Sequence, residues 1–267
     1  MKAYLSVFRM RFIGALQYRA AAFGGIATQL AWGGMEILAL AAFYRANPSA
    51  FPMEFSHAVS YVWMQQAFLT LFVVWSWEAD ILSSISEGSI AYDLVRPVDL
   101  YGRWLCQIIG SRLAKALLRC SPILIAAFIL PEPYGMSLPP GAGTLLLFFL
   151  SAFLSLGVVA AFSMLIYISN FYTLSAAGIR LMVASLADFL SGAIVPLPFF
   201  PDKIRAAAEL LPFASMQNMP LRIYSGNIVG PDIFKGIALQ ILWLLILFFA
   251  GRAAMGRALG KVVVQGG

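Results

Sequence analysis

From residue 133 to residue 179 the chain carries no charged side chain. One crossing of membrane hydrocarbon takes about 20 mostly apolar residues. An uncharged run of this length is therefore two crossings, and the chain must reverse in a tight turn at residues 169–172. The rest of the chain agrees. Residues of the set AVILMFWYC make up 61% of it and Asp, Glu, Lys and Arg only 11%, against about 25% charged residues in a soluble domain. So few charges cannot cover a water-facing surface. A soluble enzyme, a nucleic-acid-binding module and a disordered tail are excluded on this ground.

Six stretches are long and apolar enough to span: residues 20–44, 57–77, 104–130, 144–168, 173–195 and 233–255. The third is interrupted by Arg112, Lys115 and Arg119. Lys and Arg in short loops set orientation. With the N-terminus inside, thirteen of the 18 Lys and Arg fall at the inner interface, and Arg45, Lys203, Arg205, Arg222 and Lys235 fall outside. An even span count puts both termini in the cytoplasm. The expected fold class is an all-α polytopic membrane protein of one domain, residues 1–267, with six transmembrane helices.

Three segments flank or join the spans. Residues 2–19 read as an N-terminal interfacial helix, with Tyr4, Leu5, Phe8, Phe12 and Leu16 on one side and Lys2, Ser6, Arg9 and Gln17 on another. Such a cationic helix suits an anionic leaflet, though it serves equally as a topology signal. Residues 78–103 form the longest cytoplasmic connection. There Gly88 breaks one short helix, Ser89 caps the next, Pro97 stops it and Asp99 caps the helix that follows. Its mixture of apolar and charged side chains suits a protein groove, the plain alternative being a solvated connector. Residues 196–231 form an extracytoplasmic connection with six prolines, a short helix capped by Asp202, and a second short helix at 214–217. It holds too many apolar residues to be freely solvated and is expected to dip back as a re-entrant loop, with Phe199, Phe200, Phe213 and Met216 as outer gate candidates.

Recognisable enzyme chemistry is missing. The string closest to a phosphate-binding loop, from Gly251 to Ala258, has Arg257 where Lys belongs and no hydroxyl after it. Two cysteines, Cys106 and Cys120, and the single His57 offer neither a disulfide framework nor metal-ligand spacing. Two carboxylates fall within spans, Glu36 in the first and Asp188 in the fifth. Each is costly there unless paired or facing water. They read equally as pathway lining or as interhelical contacts to a partner such as Arg180 or Gln65. Gly24, Gly25, Gly33 and Gly34, with Ser155 and Gly157, permit close helix approach.

Taken together, an entry helix, six spans, a cytoplasmic helix after span two and an outer re-entrant loop after span five resemble the ABC-2 type permeases, the membrane subunits of ATP-binding cassette exporters. The segment from Ser86 to Pro97 is similar to that family's coupling region. The strings Pro198-Phe199-Phe200-Pro201, Leu211-Pro212-Phe213-Ala214 and Pro220 through Gly226 resemble its outer loop. The likeness covers essentially the whole chain and is strongest to compact bacterial permeases. It implies a transport subunit rather than an enzyme, in a bacterial cytoplasmic (inner) membrane. It also implies a second permease chain, identical or a sister, and two ATPase subunits that hold ATP and Mg; this chain would bind neither cofactor nor nucleic acid. The resemblance assigns ATPase coupling to Glu87, Gly88, Ile90, Tyr92, Asp93, Leu94, Arg96 and Pro97. The apolar spans favour an amphipathic small molecule, drug or lipid moved outward. The residues alone also admit an ATP-independent ion-coupled carrier or channel built on Glu36, Asp188 and His57, or an assembly subunit with no pathway.

Overall fold

The computed structural model describes residues 2–173 and 177–261. Among them are twelve α-helices and no strand. The first four are α1 (Lys2–Leu16), α2 (Arg19–Ala46), α3 (Phe55–Ala67) and α4 (Leu69–Phe72). Next come α5 (Ala79–Ser86), α6 (Ile90–Leu94), α7 (Leu100–Ile129) and α8 (Ala142–Ser169). The last four are α9 (Ala177–Ser191), α10 (Asp202–Leu210), α11 (Asn218–Tyr224) and α12 (Pro231–Leu259). Three of these, α2, α8 and α12, are long and apolar enough to cross a membrane.

The uncharged run holds α8 and the first three residues of α9, with turns at 170–172 between them, and of the two only α8 is long and apolar enough to cross a membrane. Residues 174–176 of the fifth expected span lie outside the described residues. α8 and α12 run parallel. Ser151 bonds Gln240 near one end of the contact, and further along the space above Gly157 is filled by Leu244. A side chain at Gly157 would meet Leu244 at 3.0 Å, so glycine sets this helix spacing. Gly33 does the same for α2 against α3: a Cβ there would stand 2.9 Å from Gln66. Gly24 and Gly34, by contrast, face open space.

One end of the bundle gathers α5, α6, the start of α7 and the ends of α8 and α12 around Ile81, Ile90, Tyr101, Trp104, Tyr167 and Met255. The opposite end holds the 196–230 connection, where Leu197, Phe200, Ala208 and Ala214 make their own small cluster. α1 lies along the first half of α7. Tyr4 packs over Gly102, and the Phe8 backbone comes within 2.9 Å of where a Gly110 side chain would begin. Tyr4, Phe8 and Phe12 of the expected apolar side are thus part-covered, while Leu5 is exposed.

The sequence and the structure part company at four places. Residues 57–77 do not form one span-length helix. α3 ends at Ala67, α4 supplies one turn, and beyond Phe72 the backbone is extended. The opened part is held by Arg112, which sits inside the bundle rather than at its edge. Its guanidinium donates to the carbonyls of Thr70 (3.1 Å), Val73 (2.6 Å) and Ser76 (3.1 Å). Those acceptors exist only because the helix has opened, and non-helical backbone at depth persists only where protein satisfies it. Second, Ser89 precedes α6 without a side-chain cap, whereas Asp99 caps α7 as expected through the amide of Gly102 at 2.9 Å. Third, Asp202 is the first residue of α10, with Pro201 preceding it, and pairs with Arg205. Fourth, residues 214–217 are turns, and the second short helix is α11 instead.

Candidate functional site

The near end of the bundle presents a knuckle formed by α6 and its flanks. Gly88 has φ +73° and reverses the chain between α5 and α6. Ile90 points inward and is 3% exposed, packed in the cluster with Ile81, Leu100 and Trp104. Asp93 also turns back, pairing with Arg103 of α7 at 2.5 Å and with Arg96 at 3.8 Å. What remains outward is apolar: Tyr92 is 75% exposed, Val95 82% and Leu94 39%. Exposed Glu87, Arg96 and Pro97 rim this patch. Of the eight residues expected to couple to an ATPase, Ile90 and Asp93 anchor the knuckle and the others are free to meet a partner.

The anchor continues into the bundle through polar contacts that sequence reasoning missed. Asp80 of α5 pairs with Arg11 of α1 and accepts from Gln107 of α7 at 2.7 Å. Glu78 pairs with Lys115 at 3.3 Å, and its backbone N–H donates to the Tyr167 hydroxyl of α8 at 2.7 Å. Arg112 then ties α7 to the unwound end of α4. The only signal in the sequence is the cluster of basic residues in the first half of the third expected span. α1, α5, α7, α8 and the broken segment are thereby one polar-bonded unit at the foot of the knuckle.

A second buried polar cluster pins the 196–230 connection. Gln240 of α12 is fully buried and accepts from Ser151 at 2.9 Å. Its amide nitrogen donates to Ser155 (2.9 Å), to the Ser215 carbonyl (3.0 Å) and to the Ser151 carbonyl (3.3 Å). Ser155 also donates to the Ser215 carbonyl at 3.0 Å. Ser151 and Gln240 each lie nine residues into their helix, about 13 Å at 1.5 Å per residue. The 212–217 turn therefore reaches well down between α8 and α12. The four gate candidates do not come together around it. Phe199 packs on Phe51 and Phe200 on Phe189, near the far end. Phe213 packs on Phe162, and Met216 is fully buried beside Val158, Val159 and Leu247.

The two carboxylates expected in the pathway are not brought into contact with each other by any hydrogen bond or ion pair among the described residues. Both oxygens of Glu36 are shielded and without a hydrogen-bond partner, with Gln66 and Tyr61 as neighbours. Gln65 donates not to either acid but to the Ala193 carbonyl at 2.9 Å. Asp188 lines a groove of about 330 Å³ between α2, α3 and the end of α9, together with Gln29, Trp32, Gln66 and Trp75. Gln29 is 4% exposed and neither of its amide atoms has a partner. His57, at the start of α3, stands 3.8 Å from Glu54. No group of three His, Cys, Asp or Glu residues that could hold a metal ion occurs among the described residues.

Comparison with known proteins bears on all of this geometry at once. Residues 30–266 match the model of a family described as ABC-2 family transporter protein. No curated protein matches the chain.

Proposed function

The chain belongs to the ABC-2 transporter family, and from that premise we propose that it is the permease subunit of an ATP-binding cassette exporter, driven through α6 by a separate ATPase. Membership makes it a multi-pass membrane permease whose partners are ATP-binding cassette ATPases. The finer reading has six crossings: α2, the broken α3–α4 segment, α7, α8, α9 and α12. The knuckle end and both termini face the cytoplasm, on the side with most of the basic residues. A second permease chain completes the pathway, and two ATPases hold ATP and Mg. The cargo is an amphipathic small molecule, drug or lipid, moved outward.

One observation carries this reading: an apolar, exposed knuckle that is held stiffly from behind. A solvated connector does not display Tyr92 and Val95 while burying Ile90 and pairing Asp93 with Arg103. Closure of an ATPase pair against Tyr92, Val95 and Arg96 would displace α6. The Asp93–Arg103 pair and Ile90 would pass that displacement to α7. Arg112 would pass it on to the carbonyls of the broken segment. A stiff lever feeding a break in a helix is a bistable element that a partner's ligand can bias.

The test is a mild-detergent pull-down of the tagged chain from its native membranes, read by mass spectrometry. The expected result is an ATP-binding cassette subunit in near-stoichiometric amount, lost when Val95 is replaced by Asp while the chain still inserts. A cross-linked homo-oligomer with no ATPase would overturn the reading in favour of an ion-coupled carrier.

A further inference from the structure

We propose that the groove between α2, α3 and α9 is a membrane-depth binding site for a lipophilic cation, an apolar molecule bearing one positive charge. This rests on the permease reading and names the chemistry of its cargo.

Trp32 stands at the middle of α2, and Gln29 one turn before it. The groove of about 330 Å³ is thus at mid-bundle depth, within the size range of small-molecule sites, about 300–1,000 Å³. Its two indoles are on the outer surface, Trp32 63% and Trp75 50% exposed. The groove is therefore open at the side of the chain, beside the exposed apolar residues of α2 and α9. A molecule dissolved among lipid tails enters without crossing water.

Charge comes next. Asp188 is the one titratable group in the lining, and no Lys, Arg or His stands with it. Asp188 makes no ion pair among the described residues. A lone carboxylate in apolar surroundings is strongly unfavourable unless an opposite charge or water meets it. The one formal charge in the lining is negative, and this favours a cation over an anion. Two indole faces attract a positive charge electrostatically. Gln29 and Gln65 each hold a shielded amide oxygen with no hydrogen-bond partner, and a turn of either side chain would bring that oxygen to face a positive charge. Gln29 is the decisive residue. A buried amide with no bond of its own is costly to the empty fold, and it borders the same groove as Asp188. Apolar Leu69, Val73 and Ile194 complete the wall. Acid, two indoles, an unbonded amide and an apolar wall together fit a lipophilic cation better than a neutral lipid or a sugar.

The probe pair is tetraphenylphosphonium and tetraphenylborate, ions of nearly the same size and apolarity with opposite charge. Each, radiolabelled, is equilibrated with the full chain in phosphatidylcholine nanodiscs. Binding is the part displaced by excess unlabelled ion, with empty nanodiscs as the baseline. The expected result is saturable binding of the cation only. Asp188→Asn weakens it at least tenfold, Asp188→Glu leaves it within threefold, and Gln29→Leu weakens it severalfold in a chain that elutes as a single species. Equal displaceable binding of both ions by the wild-type chain overturns the proposal, as does full cation binding by a monodisperse Asp188→Asn chain. The comparison of ions needs no variant, so a folding failure cannot mask the answer. Because no ATPase is present, the two readings fail separately. Lost cation binding with a copurifying ATPase removes the site alone; intact cation binding without an ATPase removes the exporter reading alone.

Discussion

Gln240 and Gln29 are both buried glutamines well inside long helices, and they are treated in opposite ways. Gln240 has both ends of its amide bonded, to Ser151, Ser155 and the Ser215 carbonyl. Gln29 has neither end bonded. The difference is one of these two residues rather than of whole regions, because unmet atoms also occur at the near end, on the Arg112 Nε and the Tyr101 hydroxyl, as they do on Glu36 and Tyr61 beside α2. A buried polar group that is fully bonded fixes one arrangement of helices; one that is not destabilises the empty fold. Gln240, and Arg112 with its three carbonyls, thus tie helices together through bonds that are made, whereas the Gln29 amide beside α2 makes none.

This contrast breaks most sharply at Arg112. Arg112→Met strips three carbonyls of their donor in a dry interior, and the expected loss is about 3 kcal/mol or more, by analogy with removing one partner of a buried charged contact. Fluorescence-detected size exclusion after graded heating reads this directly. A variant as stable as wild type would mean that the opened segment is held by something other than Arg112.

The glutamine pair gives the next effect in size. Gln240→Leu leaves the buried Ser151 hydroxyl without its acceptor and takes a donor from Ser155 and from the Ser215 carbonyl, which keep only each other, with an expected cost of about 2 kcal/mol. Gln29→Leu removes an unbonded amide and is expected to be neutral or stabilising by up to about 1 kcal/mol. Parallel melting curves in one detergent decide the matter, and equal destabilisation by the two changes would erase the distinction.

A smaller effect is expected at the knuckle. Asp93→Ala releases α6 from Arg103 and loosens the lever, at about 1 kcal/mol for a part-buried pair. Arg96→Ala touches only the rim. ATPase recovery in pull-downs should therefore fall further for Asp93→Ala than for Arg96→Ala, with insertion intact in both. The reverse order would mean that the exposed Arg96 contact, rather than the Asp93 anchor, dominates the coupling. Smallest in stability is Glu36→Gln, expected within about 0.5 kcal/mol of wild type because no bond to the carboxylate is lost. If Glu36 lines the pathway, transport in a reconstituted complex changes while the melting curve does not; unchanged transport would return Glu36 to plain packing.

Much of the framework was legible because hydropathy and charge are read by the bilayer along the chain. The uncharged run gave α8, and α2, α7 and α12 begin and end within a few residues of the expected spans. Gly88 and Asp99 announced the reversal and the cap around α6 because each acts on its own few residues. What stayed hidden depends on distant partners. Nothing in residues 57–77 shows that three carbonyls will meet Arg112, roughly forty positions on, so the segment reads as one helix. Ser151 and Ser155 pass as small residues in an apolar span until Ser215, 60 positions after Ser155, is laid against them. Charge exposed Glu36 and Asp188 as candidates, while the uncharged amides of Gln29 and Gln66 gave no such signal. The phase of α6 was equally invisible, since a single turn has no periodicity to show that Ile90 and Asp93 face in and Tyr92 and Val95 face out.

The most direct test of the whole account is to place p-benzoylphenylalanine at position 92 or at position 199 of the full chain and irradiate native membranes. The account predicts that position 92 captures an ATP-binding cassette ATPase and that position 199, at the opposite end of the bundle, captures none. Capture from position 199, or no ATPase adduct from position 92 in membranes where the ATPase copurifies with the chain, would contradict it.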